Sequence, residues 1–209
     1  LLMLGHSLDS IKKTTNYLNS STNKVAIKKA IFPWSRFPAE DTMLGPEMKA
    51  TGEVLGIGRS FGVALNKAYA AAGVEINENE KGIFVSLSDQ EKPNFIKIVK
   101  TYSDLGFKIY STYGTGEYLK NNEINSTIVG RADETFPTSL TILQDKLISL
   151  VINTPTFANE YTDGWKIRRL SHETGVAVVS SVREAEAFLK AFLETTKSFE
   201  DMEAIQNVS

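Results

Sequence analysis

The sequence predicts an α/β protein whose main domain is a five-stranded parallel sheet flanked by helices, a three-layer arrangement of the Rossmann type. Short apolar segments alternate with amphipathic helical segments from Lys81 onward, which is the pattern of a sheet with helical crossovers. Residues 147–152 form a continuous apolar run, typical of a strand that is buried on both faces. Gly106 and Gly175 each follow a helical pattern at a point where a helix would end.

Residues 1–75 precede this domain and have a less regular pattern. The predicted elements are a helix at 7–16, strands at 24–32 and 50–57, and a helix at 60–72 that Gly73 ends. These are too few elements for an independent fold. We therefore expect this segment to be the end of a larger domain.

Residues 81–197 form the predicted sheet domain. Its strands are predicted at 83–87, 107–110, 126–129, 147–152 and 176–179. Its helices are predicted at 94–105, from Glu117 after a turn at 111–116, and at 140–146, 165–174 and 182–194. Pro93 suits the first turn of a helix, where its missing N–H costs nothing. The polar tail at 198–209 is expected to be weakly ordered.

Composition excludes several classes of function. The 209 residues carry a formal net charge of -2, so bulk charge gives no support for binding to nucleic acid or to a membrane surface. No apolar stretch approaches the roughly 20 residues of a membrane span. The absence of cysteine excludes disulfides and thiolate catalysis, and it fits a reducing compartment.

A hydroxyl- and glycine-rich turn at residues 111–116 is the strongest candidate for a ligand site. It lies between an apolar strand and a helix, where unpaired N–H groups and the helix dipole favour an anion. The same residues also suit a plain strand-to-helix turn with capping hydroxyls. Two other polar segments, 153–156 and 180–181, follow further strands and are expected at the same edge of the sheet.

Basic residues after two other strands would strengthen an anion site. Lys92 follows the first strand of the sheet domain and Arg131 follows the third, so both are placed to neutralise a phosphate, although lone basic residues in loops are often simply solvated. No catalytic or metal site is predicted. The two histidines, His6 and His172, lie far apart, and no residues have the spacing of metal ligands.

Two stretches of the first 75 residues resemble the end of the second ATP-grasp region of the carbamoyl-phosphate synthase large subunit. They are residues 31–38, which read Ile-Phe-Pro-Trp-Ser-Arg-Phe-Pro, and residues 44–59, which contain Gly-Pro-Glu-Met and Thr-Gly-Glu-Val. The remainder resembles that subunit's C-terminal methylglyoxal-synthase-like regulatory domain, with matching motifs at 112–115, 151–154 and 167–169.

The resemblance implies an effector-binding domain that regulates ATP-dependent synthesis of carbamoyl phosphate from glutamine or ammonia and bicarbonate. The implied effectors are small anions, such as UMP or IMP, or N-acetylglutamate in some relatives. The family's effector-contacting positions match Ser86, Lys92, Thr112, Tyr113, Thr115, Arg131, Asn153, Thr154, Asp163 and Ser180.

The resemblance also implies what this chain lacks. The family's positions for ATP and for Mg²⁺ or Mn²⁺ lie upstream of the part matched by Leu1, so this chain is expected to hold no cofactor and to be non-catalytic by itself. The implied partners are the rest of the large subunit and the small glutaminase subunit, in a cytoplasmic oligomer that serves arginine or pyrimidine synthesis. Partners among nucleic acids or membranes are not implied.

Three positions depart from the family pattern. Lys29 stands where relatives carry an acidic contact to ornithine, across from the hydroxyl that Ser180 matches, so activation by ornithine is not expected. Tyr113 replaces a histidine and Pro155 a threonine of some nucleotide-regulated members, which leaves the preferred base open.

Two other functions stay open at the level of sequence. A methylglyoxal synthase, a lyase acting on dihydroxyacetone phosphate, has the same fold and phosphate turn. However, its Gly-Gly-Asp-Gln-Gln loop is replaced here by residues 130–138, which lack the double glycine and the glutamines. The other alternative is a domain that binds no effector and only supports oligomerisation, helped by apolar surface in residues 1–75.

Overall fold

A computed structural model of the 209-residue chain describes residues 1–14, 23–34, 42, 52–74, 82–131, 137–154 and 162–195. The strands are β1 (Val25–Ile31), β2 (Gly52–Gly58), β3 (Gly82–Ser86), β4 (Lys108–Ser111), β5 (Thr127–Ile128), β6 (Leu150–Asn153) and β7 (Ala177–Val179). The helices are α1 (Leu8–Thr14), α2 (Phe61–Ala71), α3 (Lys92–Asp104), α4 (Tyr113–Asn121), α5 (Ser139–Gln144), α6 (Asp163–Thr174) and α7 (Val182–Thr195), and a 3-10 turn at Leu2–Leu4 precedes α1. The predicted tail at 198–209 lies outside the described residues. None of the helices described here is both long and apolar enough to cross a membrane.

Strands β3 to β7 form one parallel sheet in the order β5-β4-β3-β6-β7, which confirms the predicted five-stranded parallel sheet. β3 and β6 lie at its centre and pair with each other in register from Ile83 and Leu150 to Ser86 and Asn153. Helices cover both faces of each strand. This explains why successive side chains are apolar instead of alternating between apolar and polar. Parallel strands place their carboxyl ends at one edge, where ligands of such sheets bind.

The side chains of the central strands divide into two buried clusters, one on each face of the sheet. Ile83 and Val85 of β3 point into the cluster that includes Phe95 of α3 and Phe188 of α7. Phe84, between them, points to the other face, into the cluster that includes Ile167 of α6. This alternation within an apolar strand gives the three layers that were predicted.

The strand predicted at 147–152 begins three residues later than expected. Lys146 adopts a left-handed conformation with φ 55°, and the Leu147 N–H donates to the carbonyl of Ile142, 3.1 Å away. This bond and the left-handed residue close the end of α5, as in a C-terminal helix cap. The apolar run therefore contains both a helix terminus and the strand β6, two roles that hydrophobicity alone does not separate.

The amino-terminal part packs directly on the sheet domain. β1 and β2 form an antiparallel pair, and α2 crosses from this pair to α7. The N–H of Gly62 donates to the Glu194 carboxylate over 2.7 Å, and the rings of Tyr69 and Phe188 meet edge to face with centroids 4.6 Å apart. The segment thus joins the sheet domain through the α2–α7 contact. Exposed apolar side chains are found at Leu1, Leu2, Met3, Leu4 and Leu8.

Candidate anion-binding site

The predicted turn at 111–116 is largely the first turn of α4, which begins at Tyr113 rather than near Glu117. Thr112 has an extended backbone (φ −67°, ψ 158°), and its carbonyl accepts from the Gly116 N–H over 2.8 Å, as in a regular helix. The Thr112 hydroxyl makes no capping bond to the first N–H groups of α4. The helix N-terminus therefore comes directly after β4, and the side chain of its N-cap residue does not bond its first N–H groups. Such an arrangement favours the binding of an anion.

The two glycines of this turn have different roles. A Cβ at Gly116 would lie 2.8 Å from the Ser111 hydroxyl oxygen and 2.8 Å from a side-chain carbon of Ile128, so the glycine lets α4 pack against the strands. A Cβ at Gly114 would meet nothing closer than the Lys92 ammonium, at 3.7 Å. Gly114 is thus the position where a ligand can approach the backbone closely.

Thr115 lies beneath the turn, with only 1% of its surface exposed. Its hydroxyl oxygen accepts from the Leu87 N–H over 3.0 Å and from the Thr112 hydroxyl over 3.2 Å. These bonds tie α4 to the residue that follows β3. Because both acceptor positions are used, the hydroxyl proton of Thr115 is the group left for a ligand.

Lys92 is the cation closest to this helix N-terminus among the contacts that the structure shows. It is the first residue of α3, and its side chain is only 12% exposed. Its ammonium lies 2.6 Å from the Asp89 carboxylate and 5.8 Å from the centre of the Tyr118 ring. The Lys92 ammonium thus lies beside the first turn of α4, which follows Thr112 and contains Thr115. Tyr113 lies beside them and is 70% exposed.

Arg131 and Asp163 form a second charged pair at this edge. Arg131 follows β5 and is exposed, and its Nε lies 3.7 Å from a carboxylate oxygen of Asp163, the first residue of α6. Both cations predicted for the phosphate therefore face a carboxylate in the structure. An incoming anion must compete with those carboxylates.

Asn153, Thr154 and Ser86 lie where the central strands end. The Ser86 carbonyl accepts from the Thr154 N–H over 3.1 Å and from the Asn153 amide over 3.4 Å. The Thr154 hydroxyl oxygen accepts from the Ser88 N–H over 2.8 Å. These groups hold the loop after β3, which carries Lys92, so their bonds within the protein favour positioning over direct contact with a ligand.

Ser180 is separated from the α4 site. It follows β7, three strand positions from β4, which is about 14 Å at the usual spacing of strands. Its N–H donates to the Glu184 carboxylate over 3.0 Å. Glu184 also faces Lys29, whose ammonium lies 4.1 Å from the centre of the Tyr69 ring. Ser180 therefore belongs to the junction with the amino-terminal part.

Burial controls protonation at this junction. It lowers the pKa of the Lys29 ammonium, and the Glu184 carboxylate opposes that shift. Burial also raises the pKa of the Tyr69 hydroxyl to about 12, with a further contribution from Glu184. The half-buried Lys29 stands at this junction, at the position where the resemblance implied an acidic contact to ornithine.

No metal site was predicted, and in the part of the chain that the structure describes no three His, Cys, Asp or Glu side chains are grouped to hold an ion. His172 is exposed and its ring lies 5.9 Å from that of Trp34. Most of the 130–138 loop, and Pro155, lie outside the described residues.

The five-stranded parallel sheet flanked by helices defines a class of domain. Residues 94–180 match the family model of the MGS-like domain, so this part of the chain has the MGS-like α/β fold that the sequence predicted.

Relatives extend the similarity beyond this domain. The chain is 36% identical over 187 residues to the carbamoyl phosphate synthase large chain, C-terminal section, of Aquifex aeolicus, covering 90% of this chain and 35% of the relative. It is 34% identical over 206 residues to the large chain of a Nostoc species, covering 99% and 18%. It is 36% identical over 177 residues to the carbamoyl phosphate synthase large chain, C-terminal section, of Methanocaldococcus jannaschii, covering 84% of this chain and 28% of the relative.

Nearly the whole chain is thus similar to the carbamoyl phosphate synthase large chain, which confirms the resemblance seen in the sequence. The chain spans about a third or less of the length of these relatives.

Asp89→Asn is expected to tighten phosphate binding about two- to fivefold, because it removes the carboxylate that competes for Lys92 and exposed ion pairs contribute up to about 1 kcal/mol. Titration with inorganic phosphate measures the change. Asp104→Asn is the matched control, since Asp104 pairs with Lys100 at the other end of the same helix. Equal affinity of the two variants would show that Asp89 does not compete with the anion.

Proposed function

We propose that the MGS-like domain of this chain binds a small phosphorylated effector, a nucleotide such as UMP or IMP, at the N-terminus of α4. The observation that carries the proposal is the Lys92 ammonium, held 3.7 Å from the Cβ position of Gly114 beside the open helix N-terminus. Backbone N–H groups, the helix dipole and a partly buried ammonium act on a phosphate together there. Thr112, Tyr113 and Thr115 line the same site, and Arg131 is placed to reach it.

We further propose that this binding regulates carbamoyl phosphate synthase. The names of the relatives support a chain that is part of a carbamoyl phosphate synthase large chain. The resemblance seen in the sequence implies that the intact enzyme makes carbamoyl phosphate from glutamine or ammonia, bicarbonate and ATP, together with a glutaminase subunit. Residues 1–75 would be the end of its ATP-grasp region and residues 81–197 the regulatory domain. The α2–α7 contact supports this, since it gives the sheet domain a packed connection to the part that precedes it.

Regulation of this kind has a thermodynamic signature. If the effector changes the affinity of the intact enzyme for ATP, ATP must change the affinity for the effector by the same factor. The same proposal includes four further points. This chain alone is non-catalytic, the intact enzyme is a cytoplasmic oligomer, and it serves arginine or pyrimidine synthesis.

The test is a thermal-shift panel on the 209-residue chain with inorganic phosphate, UMP, IMP and N-acetylglutamate. We expect at least one phosphorylated ligand to raise the melting temperature. At a ligand concentration one hundred times Kd, binding adds about 2.7 kcal/mol to the free energy of unfolding. No shift with any of the four would contradict effector binding and favour a purely structural domain. Formation of methylglyoxal from dihydroxyacetone phosphate would contradict the regulatory role and indicate a lyase.

A further inference from the structure

Arg168 is a buried cation behind the anion site. It lies in the second turn of α6, and only 4% of its surface is exposed. Its Nη1 donates to the Asn153 side-chain oxygen over 2.6 Å. Burial of a guanidinium is costly unless its donors are used, so this contact indicates a side chain that is held in one position.

Gly164 provides the space for this contact. A Cβ at this position would lie 3.0 Å from Nη1 of Arg168 and 3.5 Å from the Asn153 side-chain oxygen. Gly164 sits in the first turn of α6, where alanine would be the better helix former. The glycine therefore gives up helix propensity and leaves room for Arg168 to reach the end of β6.

The contact continues to the loop that carries Lys92. The side-chain oxygen of Asn153 accepts a hydrogen bond from Arg168, and its side-chain nitrogen donates one to the Ser86 carbonyl. The next residue, Thr154, accepts from the Ser88 N–H. Ser88 is the second residue of the loop that leads from β3 to Lys92 at the start of α3.

We propose that Arg168 is a positioning residue for the anion site. It fixes Asn153, and through Thr154 and Ser88 it fixes the loop that places the Lys92 ammonium beside α4. Its positive charge, shielded from water, also raises the local potential for a dianionic phosphate without touching it. The inference rests on the proposed function where it concerns affinity, but the positioning of the loop is independent of any ligand.

The test compares three variants of the full chain: Arg168→Gln, Gly164→Ala and Arg169→Gln. Arg169→Gln is the matched control, because it removes a neighbouring positive charge that pairs with Glu173. We expect Arg168→Gln to weaken the binding of inorganic phosphate about tenfold. Gly164→Ala should weaken it about threefold, while its melting temperature changes little, because the gain in helix propensity offsets the cost of displacing Arg168. Arg169→Gln should bind within about twofold of the unsubstituted chain.

Hydrogen exchange of the Ser88 amide in ligand-free protein provides a second measurement. Positioning predicts faster exchange in Arg168→Gln and in Gly164→Ala than in Arg169→Gln. Gly164→Ala keeps the test valid if Arg168→Gln does not fold. Unchanged exchange in Gly164→Ala would overturn the positioning role whether or not phosphate binds. Failure of the unsubstituted chain to bind phosphate or UMP would overturn the proposed function and the role of Arg168 in affinity, while faster exchange would still support the positioning of the loop.

Discussion

Lys92→Met is expected to weaken the binding of UMP and of inorganic phosphate about ten- to hundredfold, as loss of a charge-assisted hydrogen bond does. The ammonium lies beside Gly114 and its side chain is only 12% exposed, so water screens it little. Methionine keeps most of the apolar stem. The stability of the ligand-free chain should change by no more than about 1 kcal/mol, because the ion pair with the exposed Asp89 contributes little.

Lys100→Met is the matched control for this prediction. Lys100 lies in the same helix, nearer its C-terminal end, and its exposed side chain pairs with Asp104 over 2.8 Å. Calorimetric titration of both variants separates a local effect from a general loss of positive charge. Equal affinities for Lys92→Met and Lys100→Met would place the phosphate elsewhere.

Thr115→Val is expected to lower the free energy of unfolding by about 1–3 kcal/mol. The substitution preserves the shape of the side chain but leaves the N–H of Leu87 without its acceptor in a buried position. Thermal unfolding should show a fall in melting temperature of about 2–10 °C for a chain of this length. The affinity for phosphate should fall as well, since the loop after β3 loses its contact with α4.

Two substitutions check the cause. Thr115→Ser retains the hydroxyl and should keep most of the stability and affinity. Thr112→Val removes only a donor to Thr115, at a position that is half-buried, and should cost less stability than Thr115→Val. If Thr115→Val unfolds at the same temperature as the unsubstituted chain, the bond to Leu87 does not hold the loop.

Most of the fold could be predicted because its local signals agree with its tertiary structure. Gly73, Gly106 and Gly175 all adopt positive φ at the ends of helices, as their place in the sequence predicted. The errors arose where one segment has two roles. Gly114 and Gly116 have low helix propensity and predicted a turn, yet packing against Ile128 and the bond to Thr112 make them helical.

The residues of the site were easier to predict than their partners. Thr112, Thr115 and Lys92 follow strands whose ends must meet, so the topology alone brings them together. Asp89, by contrast, is an acidic residue in an exposed loop, and nothing in its spacing distinguishes it from a solvated side chain. Arg168 was part of a matched motif, but its contact with Asn153 depends on how α6 packs on the sheet and could not be read from the order of residues.

We propose that a phosphorylated nucleotide binds at the N-terminus of α4 and is held by Lys92. Calorimetric titration of the 209-residue chain with UMP, with IMP in a parallel titration, tests it most directly when Lys92→Met is measured alongside. We predict saturable binding of at least one nucleotide to one site per chain, weaker at higher salt because the contacts are ionic, and about ten- to hundredfold weaker in Lys92→Met. Absence of binding by both nucleotides, or equal binding by the variant, would contradict a nucleotide site at the N-terminus of α4.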